Sequence, residues 1–278
     1  MIYPNTAQTA ADVASHYDEL DPVYRAVWGE HVHHGLWTSG RESPAEAVEA
    51  LADLVGARLA PEPGQQLIDI GCGYGATAAR LAGRHGVRVT GLTLSLAQHQ
   101  RAAARPGDLT FHLRDWLDNR LPDAAFDHGY AIESSEHMAD KPLFFAEAHR
   151  VLKPGGRLVV CAWLAGPEPT PWQVRHLLEP ICREGRLPSM GSRADYEAMA
   201  KAAGFDLVSC EDLSAQVART WTLCLKGFAK RLVTDPATRR LALARRTRNR
   251  LFILSLPRLI RAYRTGAMRY GVFTFAKG

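Results

Sequence analysis

A glycine-rich turn is the sequence feature with the clearest chemical meaning. Residues 69–75 read DIGCGYG, between a short apolar run and a helix-forming segment. Glycines at a strand-to-helix turn let the backbone approach a ligand closely, and the N–H groups at the helix start point towards that ligand. The spacing GxGxG differs from the GxGxxG of dinucleotide-binding turns. The turn therefore predicts a small-molecule site that is not built for a dinucleotide.

Two carboxylates and an imidazole follow another apolar run. Glu133, Glu136 and His137 lie within residues 131–138, AIESSEHM. Ligands of open α/β sheets bind at the carboxyl ends of the strands, so these side chains are placed to contact a substrate. Glu136 and His137 are candidate bases for removing a proton from an acceptor. Structural roles stay open, with Glu133 capping a turn and His137 binding the backbone.

Alternating strands and helices are predicted to position these groups. The predicted strands cover 66–70, 87–92, 109–115, 126–132, 157–163, 205–213 and 270–278. Helical segments follow the first, second and fourth of these strands, so we expect an α/β, Rossmann-like, seven-stranded and mostly parallel sheet with helices on both faces. We divide the chain into an N-terminal helical segment (1–60), a core (61–213), a helical lid insertion (214–265) and a last core strand (266–278).

The turn resembles the first motif of class I methyltransferases, which take a methyl group from S-adenosylmethionine and release S-adenosylhomocysteine. That resemblance implies that the turn packs against the methionine part of the cofactor. An acid usually binds the ribose after the second strand, but this chain has Thr93 within residues 91–98, GLTLSLAQ. This variant resembles the cyclopropane-fatty-acid-synthase and tocopherol-methyltransferase branch. It implies that Thr93, the Leu94 backbone and Gln98 hold the ribose.

Three more segments resemble tocopherol methyltransferases. Residues 133–141, ESSEHMADK, are similar to that group's ESxEHMxDK stretch, and residues 28–37, WGEHVHHGLW, to its N-terminal segment. Residues 259–271 resemble its C-terminal pattern, so the resemblance covers about 14–277. It implies methyl transfer by in-line displacement to a carbon, oxygen or nitrogen of a small, largely apolar acceptor of phenolic, alkaloid or terpenoid type.

The same resemblance implies a site with a cofactor-binding part and a catalytic part, and without a metal. The expected cofactor-binding residues are Asp69, Gly71, Cys72, Gly73, Gly75, Thr93, Leu94, Gln98, Asp115, Trp116 and Glu133. The expected catalytic residues are Glu136, His137 and His34. Trp116 is expected to lie against the adenine, with core packing as its alternative. Residues 31–34, HVHH, lack the carboxylate or cysteine set of a usual metal site, so we expect them to close the cofactor pocket.

Charge is distributed unevenly along the chain. Residues 226–269 carry thirteen Lys and Arg against one acid, Asp235, for a net +12, while the remaining residues carry −7. A solvated helix face is the plain interpretation. Attraction to an anionic acceptor or a membrane surface is the sharper one, and a homo-oligomer also stays open. The chain carries no recognisable nucleic-acid-binding motif, so we expect no nucleic-acid partner.

Cysteine use and hydropathy bear on the compartment. The five cysteines are scattered without a CxxC pair, which disfavours disulfides and zinc sites and favours a reducing compartment. The first twenty residues do not have the pattern of a secretory signal, and the longest apolar run, 251–256, is too short to span a bilayer. We therefore expect a cytoplasmic protein.

Two other functions compete with methyl transfer. Cyclopropanation of a lipid alkene would use a bicarbonate site with a Cys in the N-terminal segment and a His after the fifth strand. This chain has residues 33–35, HHG, and 161–163, CAW, at those places, so that set is incomplete. A non-catalytic subunit that only holds S-adenosylmethionine is the other alternative, and the intact glycine turn with Glu136 and His137 argues against it.

Overall fold

The protein, described as a computed structural model over residues 1–236, 239–240 and 255–278, is built on a seven-stranded sheet. The strands are β1 (Gln66–Ile70), β2 (Arg88–Thr93), β3 (Leu109–Leu113), β4 (Phe126–Ile132), β5 (Leu152–Ala165), β6 (Phe205–Asp212) and β7 (Met268–Lys277). Their order is β3-β2-β1-β4-β5-β7-β6. Strands β1 to β5 pair in parallel, and β7 runs antiparallel between β5 and β6. The predicted mostly parallel, Rossmann-like α/β fold is confirmed.

Helices connect the strands. They are α1 (Ala10–Val27), α2 (Pro44–Leu59), α3 (Ala76–His85), α4 (Leu96–Ala102), α5 (Lys141–Val151), α6 (Pro171–Gln173), α7 (Glu179–Glu184), α8 (Arg193–Ala202), α9 (Ser214–Val217), α10 (Arg219–Thr234) and α11 (Leu256–Arg264), with a π-helical turn at Val174–Leu178. Ser43 and Glu46 form a capping box at the start of α2, and Pro44 occupies its first turn.

The first helix and the fifth strand have well-defined starts. Thr9 and Asp12 form a capping box at the start of α1, and the helix continues through Pro22 to Val27. Strand β5 begins at Leu152 instead of residue 157, since Leu152 already pairs with Phe126 before a register shift in the β4–β5 ladder. Residues 153–156, KPGG, therefore lie inside the strand.

Both faces of the sheet are covered by packed helices. On one face Leu51 and Val55 of α2 join the core, and on the other Phe144 and Phe145 of α5 pack with Tyr196 of α8. These side chains are fully buried. Each contributes about 1.5–3 kcal/mol of hydrophobic stabilisation relative to an exposed position.

Helices from the two ends of the chain meet over one end of the sheet. Trp221 of α10 lies against Trp28 (ring centroids 6.2 Å apart) and Trp163 (5.2 Å). Of the predicted insertion 214–265, residues 237–238 and 241–254 lie outside the described residues. The described helices include none with the length and apolar character needed to cross a membrane.

Candidate active site

The ends of β1 and β4 lie side by side where the strand order reverses, which is where open α/β sheets bind ligands. Gly71 follows β1 with φ +84°, and a Cβ there would lie 2.3 Å from the Cβ of Ser134, which follows β4. Gly73 has φ +53°, and a Cβ there would meet nothing within 4 Å. The turn thus packs closely on one side and stays open on the other.

A cavity of about 340 Å³ occupies the open side of this turn. It is lined by Glu30, His31, Val32, His33, Asp69, Gly71, Cys72, Gly73, Tyr74, Ala76, Thr77 and Ile132. Asp69 accepts a hydrogen bond from the Tyr130 hydroxyl (2.8 Å), and burial raises the pKa of this carboxyl to about 7. Four of the predicted cofactor-binding residues, Asp69, Gly71, Cys72 and Gly73, therefore share one cavity, which we term the cofactor cavity.

Residues 30–33 form the opposite wall of the cofactor cavity. Nδ1 of His31 lies 3.2 Å from Nε2 of His33 and 3.3 Å from the Thr77 hydroxyl on α3. Burial lowers the pKa of His31 to about 3, so this ring is neutral at physiological pH. Residues 30–33 thus line the same cavity as the glycine turn, and closure of the cofactor pocket by the N-terminal segment stays a prediction.

The predicted ribose-binding residues lie beside the cofactor cavity without lining it. The Thr93 hydroxyl donates to Oε1 of Gln98 (2.8 Å), and both side chains are buried, while Leu94 is half-buried. Asp18 of α1 accepts from the Ser95 hydroxyl (2.5 Å) and the Ala97 N–H (3.1 Å), which fastens α1 to the start of α4. The ribose role of these residues stays a prediction.

The predicted adenine-binding pair, Asp115 and Trp116, follows β3. Trp116 is 2% exposed, and its Nε1 donates to the Phe144 carbonyl (3.2 Å). The indole packs among core side chains, which was the alternative for this residue, and it does not line the cofactor cavity, so its contact with adenine stays a prediction. Asp115 accepts from the Leu117 N–H (2.9 Å) and caps a short turn. Contact between Asp115 and adenine stays a prediction.

A second cavity of about 480 Å³, the aromatic pocket, shares Val32 and His33 with the cofactor cavity. It is lined by His16, Tyr17, Tyr24, Trp28, Val32, His33, His34, Glu133, Glu136, His137, Trp163, Gly185, Leu187 and Trp221. All three residues predicted to be catalytic therefore lie on one pocket. The two cavities are therefore neighbours.

Glu133 joins three distant parts of the chain. Its two oxygens accept from the His34 N–H (2.7 Å), His34 Nδ1 (2.8 Å), Trp163 Nε1 (2.9 Å) and the Tyr270 hydroxyl (2.8 Å). Burial alone would raise the pKa of Glu133, but the His34 ring outweighs it by attraction and hydrogen bonding, and lowers this pKa to about 2. Protein donors thus occupy its carboxylate, which positions His34, Trp163 and Tyr270, and a contact between Glu133 and the cofactor stays a prediction.

Glu136 has the opposite electrostatic character. Its Oε1 accepts from the Trp163 N–H (2.5 Å), and the side chain is 2% exposed. Burial and the neighbouring Glu133 charge raise the pKa of Glu136 to about 8. A carboxyl group with this pKa is protonated at low pH and becomes a comparatively strong base once it ionises.

His137 is held in one tautomer by its neighbours. Its Nδ1 lies 3.2 Å from the Arg186 carbonyl, which can only accept, so Nδ1 carries the proton. Burial lowers the pKa of His137 to about 4, and the neutral ring therefore accepts at Nε2 from the Tyr17 hydroxyl (2.9 Å). Tyr17 on α1 was not singled out from the sequence, and no local motif identifies it.

Lys141 fixes the turn that carries Glu136 and His137. Its ammonium group donates to the carbonyls of Glu136 and Met138 (3.2 Å each) and to the Ser189 hydroxyl (2.9 Å). Burial lowers the pKa of Lys141 to about 8. The residue ends the ESSEHMADK stretch that the sequence highlighted, but only the packed structure shows which atoms it binds.

Comparison with known proteins identifies the family. The family model described as mycolic acid cyclopropane synthetase matches residues 5–246. The chain belongs to this family. Its members depend on S-adenosylmethionine, and the cofactor cavity, whose glycine turn is open where a Cβ would otherwise project, fits the methionine end of that molecule.

Two named relatives are methyltransferases, and one similar solved structure is a cyclopropane synthase. The chain is 33% identical to 27-O-demethylrifamycin SV methyltransferase of Amycolatopsis mediterranei (strain S699), over 80% of this chain and 84% of that protein. It is 29% identical to the chloroplastic tocopherol O-methyltransferase of Arabidopsis thaliana, over 95% of this chain and 81% of the relative. The solved cyclopropane synthase MmaA2 from Mycobacterium tuberculosis superimposes with a TM-score of 0.84 at 26% identity, covering 98% of this chain and 100% of that one. The protein is an S-adenosylmethionine-dependent methyltransferase.

Proposed function

We propose that the protein methylates a hydroxyl oxygen of a small, largely apolar acceptor, of phenolic or related natural-product type, bound in the aromatic pocket. The observation that carries this proposal is the position of Glu136 on a pocket that shares Val32 and His33 with the cofactor cavity.

Each part of the pocket has a task in this reaction. S-adenosylmethionine supplies a methyl group on a positively charged sulfur. Aromatic side chains such as Trp28, Trp163 and Trp221 hold the acceptor and exclude water, which favours an in-line approach of its oxygen. The oxygen–carbon bond forms as the carbon–sulfur bond breaks, and the ionised Glu136 carboxylate takes the hydroxyl proton.

The relatives support oxygen as the methylated atom, since the tocopherol enzyme is named an O-methyltransferase and the rifamycin enzyme acts on a 27-O-demethyl compound. A base with the raised pKa of Glu136 also suits a hydroxyl, whereas methylation of a tertiary amine needs almost no base.

Cyclopropanation of an alkene is the second candidate, because the family description and the MmaA2 title both carry that activity. At the places where the resembled enzymes have a Cys and a His, this chain has residues 33–35, HHG, and 161–163, CAW, and His34 and Trp163 of these segments line the pocket. The His34 and Trp163 ring centroids are 5.6 Å apart, and both side chains donate to Glu133. The first place lacks the Cys and the second lacks the His that a bicarbonate site would use. We therefore rank O-methylation first.

A panel of acceptors tests the proposal. The protein would be incubated with methyl-labelled S-adenosylmethionine and, separately, with chromanols and other phenols, tertiary-amine precursors and an unsaturated fatty acid. Label in an acid-stable methyl ether of a phenol, at least tenfold above the level in the other classes, is the expected result. Label in a cyclopropane ring or on nitrogen, with none on oxygen, would replace the proposal by the corresponding alternative.

A further inference from the structure

A groove of about 1660 Å³ continues from the aromatic pocket, with which it shares Trp28 and His33. We call it the basic groove. It is lined by Arg25, Ala26, Val27, Trp28, Gly29, His33, Gly35, Trp37, Pro44, Ala45, Val48, Thr220, Leu223, Cys224, Lys226, Gly227, Lys230, Arg231 and Thr234. These residues come mainly from the end of α1, the segment after it and α10, so the groove leads from the pocket to the surface between the two helices.

The charges lining the basic groove have one sign. It contains four cations, Arg25, Lys226, Lys230 and Arg231, and none of its lining residues is an Asp or Glu. Arg25 is paired with Asp21 (2.9 Å), which leaves a net positive rim. Lys226 and Lys230 are exposed and lie one helical turn apart, on the same face of α10.

The rest of the groove surface is apolar or aromatic. Trp28 and Trp37 contribute indole rings, and Val27, Val48 and Leu223 contribute aliphatic surface. An apolar floor below a positive rim complements an amphiphile, whose apolar part is removed from water while its anion stays near the cations. A simple inorganic anion would use only the rim.

We propose that the basic groove binds the anionic end of the acceptor, a carboxylate on an apolar chain or ring system, while the end to be methylated lies in the aromatic pocket. The inference rests on the proposed function, because it assigns the groove to the same acceptor. Continuity through Trp28 and His33 favours one ligand that spans both spaces over two separate ligands. The acceptor is thus an amphiphilic hydroxy acid.

Gly227 provides a way to close the groove. It lies within α10 and lines the groove, and a Cβ there would meet nothing within 4 Å. Gly227→Phe would place a ring in the groove, and it would not disfavour the helix because glycine is a poorer helix former than phenylalanine. Gly83 of α3 is an exposed helical glycine with equally open surroundings, so Gly83→Phe is a matched control.

Binding of decanoate and of uncharged 1-decanol, read by the fluorescence of the pocket and groove tryptophans, tests the proposal. The wild-type protein should bind decanoate about tenfold more tightly than 1-decanol at 0.15 M salt, with a smaller preference at 1 M salt. Lys226→Glu with Lys230→Glu should reduce the preference to about twofold or less. Lys201→Glu, at an exposed position of α8, should leave the preference for decanoate unchanged. Gly227→Phe should weaken both ligands, unlike Gly83→Phe.

Three results would overturn the proposal: equal affinity for the two ligands, a preference that survives the double reversal, or wild-type binding by Gly227→Phe. Vesicles of phosphatidylglycerol and of phosphatidylcholine provide the remaining arm. If only the anionic vesicles bind and only the reversal releases them, while decanoate shows no preference, the rim contacts a membrane instead. Decanoate binding needs no turnover, and Glu136→Gln should bind it normally. The groove and the proposed reaction can therefore fail separately.

Discussion

The Glu133 carboxylate accepts from both the backbone N–H and the ring Nδ1 of His34, at 2.7 and 2.8 Å, across 99 residues of sequence. The His34 ring also lies edge-on to Trp163 and Trp221. One carboxylate therefore fastens the N-terminal segment to the end of β4, and this contact forms the side of the aromatic pocket that faces the insertion. Such a fully satisfied buried network fixes one arrangement of its members.

Removal of the Glu133 carboxylate should be costly. Glu133→Ala leaves His34, Trp163 and Tyr270 without their acceptor, so we expect the free energy of unfolding to fall by about 3–5 kcal/mol, because each buried donor left without a partner costs about 1–3 kcal/mol. Urea unfolding measures this change. Glu211→Ala removes the partner of Arg58 in a half-exposed pair and should cost less than about 1 kcal/mol. Equal losses in the two variants would contradict the network role of Glu133.

The loss of stability at acidic pH tests whether the charge of Glu133 stabilises the fold. The pKa of Glu133 is lowered from 4.5 to about 2 in the folded protein, so its stabilising contribution is complete above pH 4.5 and is lost as the pH falls towards 2. Glu133→Gln removes this titration, and its stability should decline less over that interval than the stability of the wild-type protein.

Sequence patterns predicted the individual strands and the glycine turn because each depends on residues that are neighbours in the sequence. The alternation of short apolar runs with helical segments gave the strand count, and the open side of Gly73 agrees with the close approach that its spacing predicted. Trp116 shows the limit of such patterns. An indole after a strand can face a ligand or the core, and the choice depends on Phe144, which packs against it from another helix.

The roles of Glu133 and Tyr17 could not be read from the sequence either. Glu133 and Glu136 stand three residues apart in one motif, and burial raises the pKa of both. The net shifts are nevertheless opposite, because only Glu133 accepts from the His34 ring, which lowers its pKa. Tyr17 reaches His137 from 120 residues away. Both outcomes depend on long-range packing that a single sequence does not encode in any short pattern.

Gly73→Val tests the cofactor cavity. The new side chain would occupy the open side of the turn, so we expect the affinity for S-adenosylhomocysteine, measured by calorimetry, to fall about a hundredfold or more. Gly64→Val is the control, since Gly64 has φ +85° and open surroundings in the turn before β1. It should carry the same backbone strain, of about 1–3 kcal/mol, without loss of binding. Unchanged affinity in Gly73→Val would remove the turn from the cofactor site.

The hydrogen bond between Tyr17 and His137 should matter for turnover more than for cofactor binding. Tyr17→Phe deletes the donor to Nε2 and frees the imidazole in the pocket, so we expect kcat to fall about tenfold, consistent with one hydrogen bond. His137→Ala should lose more, and S-adenosylhomocysteine affinity should stay within about twofold in both variants. Tyr3→Phe, at a 66% exposed position, should behave as the wild type. Full activity of both site variants on an acceptor that the wild-type protein methylates would exclude this pair from the reaction.

Glu136 should set the pH dependence of methylation. Its pKa is raised to about 8, and the ionised form is the base, so kcat should rise about tenfold per pH unit below 8 and level off above it. Glu136→Gln keeps the acceptor atom for the Trp163 N–H but removes the base. It should lower kcat by about a hundredfold to ten-thousandfold and abolish this rise, with cofactor affinity retained. A phenol's own ionisation also raises the rate with pH, and the residual activity of Glu136→Gln measures that part separately. If the wild-type and Glu136→Gln profiles are parallel, the base is another group and Glu136 only shapes the pocket.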